Sequence, residues 1–324
     1  MTDFETLTKD KNFDKRQQKE IQRGLDSGLS IRQVELYADS NFNFLQMKEI
    51  VDGLEQGLTE DQIKIYANPK FNSIQMYELR LGLTNGLTNA QINLYANPAF
   101  NESQMSEIQL GLNALPLDQV RVFALPEYNS DQMYVIRDSF ERGLSADQIH
   151  IYADPKFSAY QMYQIREGWA NGLSKDQIRI YADPKFSYKQ MIQIRLGFQN
   201  SLTEEQVQQY AYTHIDSSEM ESMRRHLENG VQNIKAYNDA IARYNELPTE
   251  QSILLAKAAS NGISLAKLDV IANGHFSTEQ TEFLLKNMQE GVNTSYTSKK
   301  QNKVTQRDYP SIDIKIDRKG QLNL

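Results

Sequence analysis

A period of 29 residues runs through most of this 324-residue chain and constrains its fold more than any other feature. The marker is an aromatic residue at Phe13, Phe42, Phe71, Phe100, Phe157 and Phe186. Tyr128 fills the gap after a one-residue deletion, and Ile215 continues the row. Self-similarity at a fixed period of this size belongs to stacked repeat arrays, where each unit buries its apolar face only against its neighbours. Length alone would suggest two globular domains. The period overrides that expectation.

Each repeat reads as two helices, because each half carries its own start signal. The first half has Ser or Thr followed three residues later by Gln, as at Ser30/Gln33, Thr59/Gln62, Ser145/Gln148 and Ser174/Gln177. The second half repeats the device with Asp, Asn or Ser, as at Asp14/Gln17, Asn43/Gln46, Asn72/Gln75 and Ser158/Gln161, and ends at Asp216/Glu219. These are capping boxes: the cap side chain accepts from the N3 backbone N–H while the N3 side chain reaches back to the cap. Asn68-Pro69, Asn97-Pro98, Asp154-Pro155 and Asp183-Pro184 break the chain between the two helices. Gly28, Gly57, Gly86, Gly143, Gly172 and Gly230 stand where the second helix ends, at the place of a left-handed C′ residue. The unit is therefore a first helix of about two to three turns, a proline turn, a longer helix and a glycine turn.

A further glycine recurs inside the longer helix, at Gly24, Gly53, Gly82, Gly111, Gly168 and Gly197. Each costs about 1 kcal/mol relative to Ala, so its recurrence demands a packing reason; close approach of a neighbouring helix backbone is the expected one. Tyr66, Tyr95, Tyr152 and Tyr181 lie on the apolar face of the first helix and are expected in the core. Degenerate copies continue from about residue 230, with a longer first helix near Ile234 to Tyr244 and Gly262 to Phe276 back in register. The predicted fold is an all-α solenoid of about ten stacked two-helix repeats over residues 1–291, the first lacking its opening helix. Residues 292–324 are predicted to form a basic, flexible tail, in which Ile312, Ile314 and Ile316 alternate with charged residues as in a strand. Such a peptide suits addition to the sheet edge of a partner, or stays loose as termini do.

The formal charge is −7, and the tail holds seven Lys or Arg against three Asp, so the repeat body is strongly acidic. That balance disfavours general affinity for nucleic acid. The chain has no cysteine, and its polar N-terminus lacks a signal-peptide core, so a cytoplasmic location without membrane association is expected. His150, His214, His226 and His275 occupy unrelated repeat positions, and no phosphate loop or catalytic motif appears. No enzyme activity, cofactor or metal is expected.

One polar feature recurs. Tyr77, Tyr134 and Tyr163 each precede an arginine by three residues, at Arg80, Arg137 and Arg166, and Ile192 with Arg195 extends the row. Positions i and i+3 share a helix face. Tyrosines bordering a seam, with arginines paired to nearby carboxylates, would account for the row structurally. A ladder of rings and guanidinium groups would instead suit a peptide or stacked bases.

The unit GLSKDQIRIYADPKFSYKQMIQIRLGF, from Gly172 to Phe198, resembles the short tandem repeats of proteins carried by plasmids and conjugative elements of Gram-positive bacteria. The likeness spans about Lys11 to Val231, with weaker copies to Val292. It implies a helical array and a mobile-element setting, and supplies no site residues. The leading functional expectation is a non-enzymatic scaffold that binds a protein partner along an extended repeat face. Single-stranded nucleic-acid binding on the Tyr/Arg row and a purely structural spacer are the alternatives.

Overall fold

The computed structural model describes residues 2–9, 11–293, 315–316 and 322–323. Among these residues, twenty helices form ten consecutive short–long pairs, and the only strands are Lys315–Ile316 and Leu322–Asn323. The chain divides into two compact units, Met1–Ile234 and Lys235–Leu324. The expected α-solenoid is the observed architecture: helices adjacent in sequence pack on one another in sequence order.

The first unit holds eight pairs. Its long helices are Lys15–Asp26, Phe44–Glu55, Ser73–Thr84, Glu102–Ala114, Ser130–Glu141, Ala159–Ala170, Tyr188–Gln199 and Ser217–Glu228, each packed on the next. Contrary to expectation, the first pair has its opening helix, Asp3–Thr8, with a capping box between Thr2 and Glu5. Some short helices are a single turn, such as Asn89–Ile92 and Ala146–Ile149, rather than two or three. The short helices are fixed at their starts by caps: Ser30, Thr59, Thr88, Ser145, Ser174 and Thr203 all close capping boxes.

The turns explain their own residue types. Asn68 and Asp183 accept through Oδ1 from the N–H two residues on, at 3.1 and 2.9 Å, forming Asx turns around the proline. Gly86 has φ +90°, its N–H donates to Leu83 O, and Leu87 N–H donates to Gly82 O at 3.0 Å. That pairing is the Schellman closure, which requires the left-handed residue. The one-residue deletion falls at this turn in the fourth repeat. There the long helix runs on to Ala114, Leu115 N–H bonds Gly111 O, and Pro116 caps the next helix without a side-chain bond. No left-handed glycine is then needed.

The interior glycines face a side chain rather than a helix backbone, which corrects the sequence expectation. A Cβ on Gly53 would lie 2.1 Å from the Tyr66 hydroxyl oxygen, and one on Gly168 would lie 2.0 Å from that of Tyr181. Tyr37, Tyr66, Tyr95, Tyr152, Tyr181 and Tyr210 are fully buried, as expected of the series. Their hydroxyls reach over the glycine toward the carbonyl four residues before it: Tyr66 donates to Glu49 O at 3.2 Å, and Tyr210 to Gln193 O at 3.3 Å. Tyr95 has no such bond; at its repeat position Gln109 Nε2 donates to Glu78 O at 2.7 Å. Ser139 and His226 stand in the glycine's place in the fifth and eighth long helices, and the Ser139 hydroxyl turns back onto Val135 O at 2.6 Å.

The long-helix glutamines do more than cap. Gln75 Oε1 accepts from Asn72 N–H at 2.8 Å, while Gln75 Nε2 donates to Phe100 O at 2.6 Å and Pro98 O at 3.2 Å. Gln190 makes the same bridge to Ile215 O at 2.6 Å and Thr213 O at 3.1 Å. Gln17, Gln46, Gln104, Gln132 and Gln161 repeat it, and all are buried. A glutamate would cap equally well but has no N–H to give the next repeat. Where Glu219 takes the position, no capping box closes and the side chain is exposed.

In the second unit, Ile234–Arg243 is the longer first helix, followed by Thr249–Ser260, Leu265–Asn273 and Thr278–Asn293. Gln251 keeps the bridge to Phe276 O and adds Thr281 Oγ1 at 3.2 Å. Tyr244, Asp269 and Arg243 form a local cluster, Tyr244 Oη donating to Asp269 Oδ1 at 3.0 Å. Of the candidate tail peptide, Ile312 and Ile314 lie outside the described residues, as does most of the tail expected to be flexible. Ile316 pairs in antiparallel register with Leu322, and Lys315 with Asn323, so this strand finds its partner within the same chain.

Candidate functional site

The six long helices from Phe44–Glu55 to Tyr188–Gln199 each bury the N3 glutamine, the methionine after it and the aliphatic residue three further on, for example Gln75, Met76 and Leu79. The opposite stripe faces solvent at the second and fifth residues after the cap. Helical geometry puts those positions, three apart, on one face. In consecutive repeats that stripe carries Leu45, Ile74 with Tyr77, Tyr134, and Tyr160 with Tyr163 as exposed side chains, and Leu110 lies one turn further along. Tyr77, Tyr134 and Tyr163 are 41, 46 and 42 % exposed, and Tyr160 reaches 70 %. The ring centroids of Tyr160 and Tyr188, in neighbouring repeats, lie 5.3 Å apart. The ring surface thus crosses a repeat boundary.

The arginines of the expected row lie beneath the tyrosines. The guanidinium carbon of Arg80 sits 5.2 Å from the Tyr77 ring centroid; Arg137 sits 5.4 Å from Tyr134, and Arg166 4.5 Å from Tyr163. The side chains of these arginines are only 5 to 12 % exposed. Their donors are directed to the preceding repeat. Arg80 Nε donates to Glu49 Oε2 at 2.9 Å and Arg137 Nε to Glu107 Oε2 at 3.0 Å, while Arg166 pairs with Asp138. Arg195 Nε donates to Gln164 Oε1 at 3.2 Å, and Arg224 repeats the pattern with Gln193 at 3.1 Å. Burial works against the charge of Arg137, but its bonds to Glu141 and Glu107 outweigh that and hold its pKa above the ordinary value.

The expected row is therefore two structures. Tyr77, Tyr134 and Tyr163 are presented to solvent, with Ile192 half-buried in line with them. Arg80, Arg137, Arg166 and Arg195 are rungs of an inter-repeat ladder, their charge or donors taken up by Glu49, Glu107, Asp138 and Gln164. The ladder has one rung without a cation: Gln109 Nε2 donates to Glu78 Oε2 at 2.9 Å. Burial there raises the Glu78 pKa, the Gln109 bond opposes the shift, and the nearby Glu102 charge adds to it.

Sequence reasoning missed Ile74, Leu110 and Tyr160 on the exposed face. For Ile74 and Tyr160 the signal was present: an apolar residue two after the cap interrupts a position that is polar in other repeats, as at Ser103, Asp131 and Lys189. It also missed the acidic rungs Glu49 and Glu107, which precede Arg80 and Arg137 by about one repeat. In the second unit, an open cavity of about 250 Å³ is lined by Leu247, Leu255, Ile271, Phe276 and Thr281, with His275 at φ +52° beside it. Among the described residues, no group of three or more acidic or histidine side chains could hold a metal ion. No helix among them is long and apolar enough to cross a membrane.

No protein-family profile, curated protein or solved structure matches this chain.

Proposed function

We propose that the protein is a non-enzymatic α-solenoid scaffold and that it binds a protein partner on the outward face of the long helices in its first unit. One observation carries this reading: Ile74, Tyr77, Leu110, Tyr134, Tyr160 and Tyr163 are exposed in four consecutive repeats. Contiguous exposed apolar surface on rigid elements is the usual mark of an interaction site. Tyrosine suits it, giving large contact area at small entropic cost. The arginine beneath each of three rings fixes its orientation before any partner arrives, which lowers the ordering cost of association.

A nucleic-acid ligand is the weaker reading. The rings could stack on bases, but the guanidinium groups that would meet phosphates are already paired with Glu49, Glu107 and Asp138.

A photo-cross-linking residue at Tyr134, with a second version at the exposed Arg179 of the short helix Lys175–Tyr181, tests the reading in cells that produce the protein. A discrete cross-linked protein is expected from position 134 and not from 179. Equal labelling from both, or none from position 134, would overturn the assignment of this face.

A further inference from the structure

We infer that the partner presents a basic, amphipathic segment: apolar side chains flanked by Lys or Arg, seated on the tyrosine face of the first unit. The inference rests on the scaffold reading and adds to it the chemistry of the ligand.

The charge of the face decides the sign. The five long helices that carry the exposed stripe, Phe44–Glu55, Ser73–Thr84, Glu102–Ala114, Ser130–Glu141 and Ala159–Ala170, bear ten carboxylates against four basic side chains. All four cations are engaged. Lys48 pairs with Asp52 at 2.7 Å, Arg80 with Glu49 at 2.9 Å, Arg137 with Glu107 and Glu141, and Arg166 with Asp138 and Glu167. Arg23, from the preceding long helix, and Arg142, just after Glu141, also pair with Asp52 and Glu55 and with Asp138, so ten carboxylates face six cations and a surplus of four negative charges remains for a basic ligand.

Placement sharpens the point. On the helix Ser130–Glu141, Asp131, Tyr134, Asp138 and Glu141 follow at spacings that share one face, so a ring is bracketed by acids along the same stripe. Asp131 is exposed and outside any ion pair among the described residues, while Asp138 is shared by Arg142 and Arg166 and Glu141 is held by Arg137. On Ala159–Ala170, Tyr160, Tyr163 and Glu167 do likewise. A segment whose apolar residues meet Ile74, Leu110 and the ring surfaces would place its flanking cations over these carboxylates. Its Lys or Arg groups would also find exposed tyrosine faces, a favourable cation–π arrangement. A helix laid with its apolar stripe into such a surface is a common recognition mode. Complementarity of this kind speeds encounter and rejects like-charged competitors.

The test uses the full chain and three synthetic peptides of about five helical turns. The first has Lys and Leu in helical register, the second the same composition with leucines scrambled, and the third Glu in place of every Lys. Affinity is read by fluorescence anisotropy at about 0.15 M salt. The patterned Lys/Leu peptide is expected to bind, the scrambled one about tenfold more weakly, and the Glu/Leu peptide not at all. The charge-neutral triple variant Tyr77→Ser/Tyr134→Ser/Tyr163→Ser should weaken the patterned peptide by about tenfold while its circular dichroism stays unchanged. Asp131→Asn/Glu141→Gln should weaken it too and flatten its salt dependence.

Equal binding of patterned and scrambled peptides, an unaffected triple variant, or binding of the Glu/Leu peptide would overturn the inference. So would tyrosine-dependent binding of a single-stranded oligonucleotide. The two readings fail separately. A partner cross-linked at position 134 through an acidic or uncharged segment leaves the scaffold standing and removes the basic ligand.

Discussion

The side-chain amide of Gln75 holds its own helix with one atom and the next repeat with the other: Oε1 accepts from Asn72 N–H, and Nε2 donates to the carbonyl of Phe100, 25 residues on. Both ends are buried with the side chain. The array is thus tied together by an amide that a carboxylate can only half replace.

Gln75→Glu is expected to destabilise the protein by about 2–3 kcal/mol near neutral pH, because it sets an ionised oxygen against the Phe100 carbonyl. Protonation restores a donor at that atom. The cost should therefore shrink as pH falls and the introduced carboxyl, raised by its surroundings, takes up its proton. Urea unfolding midpoints of Gln75→Glu and Gln75→Ala across the acid range check this; a pH-independent loss for the glutamate variant would contradict it.

Gly82→Ala would raise helix propensity by about 1 kcal/mol at an ordinary helical site. Here the new Cβ would stand 2.2 Å from the Tyr95 hydroxyl oxygen and 2.8 Å from Ile92 Cδ1. Overpacking should win, with a net loss of about 1–3 kcal/mol. Hydrogen exchange of the short helix Asn89–Ile92 and thermal midpoints would register it.

The tyrosines of that series separate by hydrogen bonding. Tyr66→Phe removes the bond to Glu49 O and should cost about 1 kcal/mol. Tyr95→Phe removes a buried hydroxyl that has no partner, so it should be neutral or stabilising. Matched unfolding curves for the two variants provide the comparison.

Glu78 supplies the pH test. Burial raises its pKa in the folded protein above the ordinary glutamate value. The folded state therefore favours the protonated form, and its ionisation costs stability progressively as pH rises through the folded pKa. Glu78→Gln should stabilise the protein near pH 7 and leave it unchanged near about pH 3, below the unfolded carboxyl's titration. Equal midpoint shifts at both pH values would dismiss the assignment.

Arg80→Ala should cost about 3–5 kcal/mol, since it leaves the mostly buried Glu49 carboxylate without its cation. Arg80→Gln should cost less, because it recreates the rung that Gln109 already makes with Glu78. Thermal melts of the pair, with far-UV circular dichroism for retained helix, measure the difference.

Much of this was legible in the sequence. The caps at Asn72 and Ser174, the left-handed Gly86 and the buried Tyr181 follow from local rules that each repeat restates. The second role of Gln75 was not, because a capping box accounts for the residue and hides the need for a donor. The purpose of Gly82 was misread for a related reason: a missing Cβ announces close approach without saying what approaches. For the face, the Tyr/Arg spacing located Tyr77 and Arg80 together but could not separate the exposed ring from the buried cation. That division is made by Glu49, one repeat away, and distance across a repeat boundary is what a helical spacing does not encode.

The amide bridge has one more consequence. Because Gln75 bonds to Phe100, and each counterpart bonds at the same reach into the following copy, an incoming repeat meets the same donor and the same acceptor that the displaced one used. Unequal recombination between copies can therefore lengthen or shorten the gene by whole repeats while every junction re-forms its bonds. The deletion beside Leu115 lies in the outer turn, where Gln104 still reaches Tyr128 O, so turn length can drift while the seam is inherited intact.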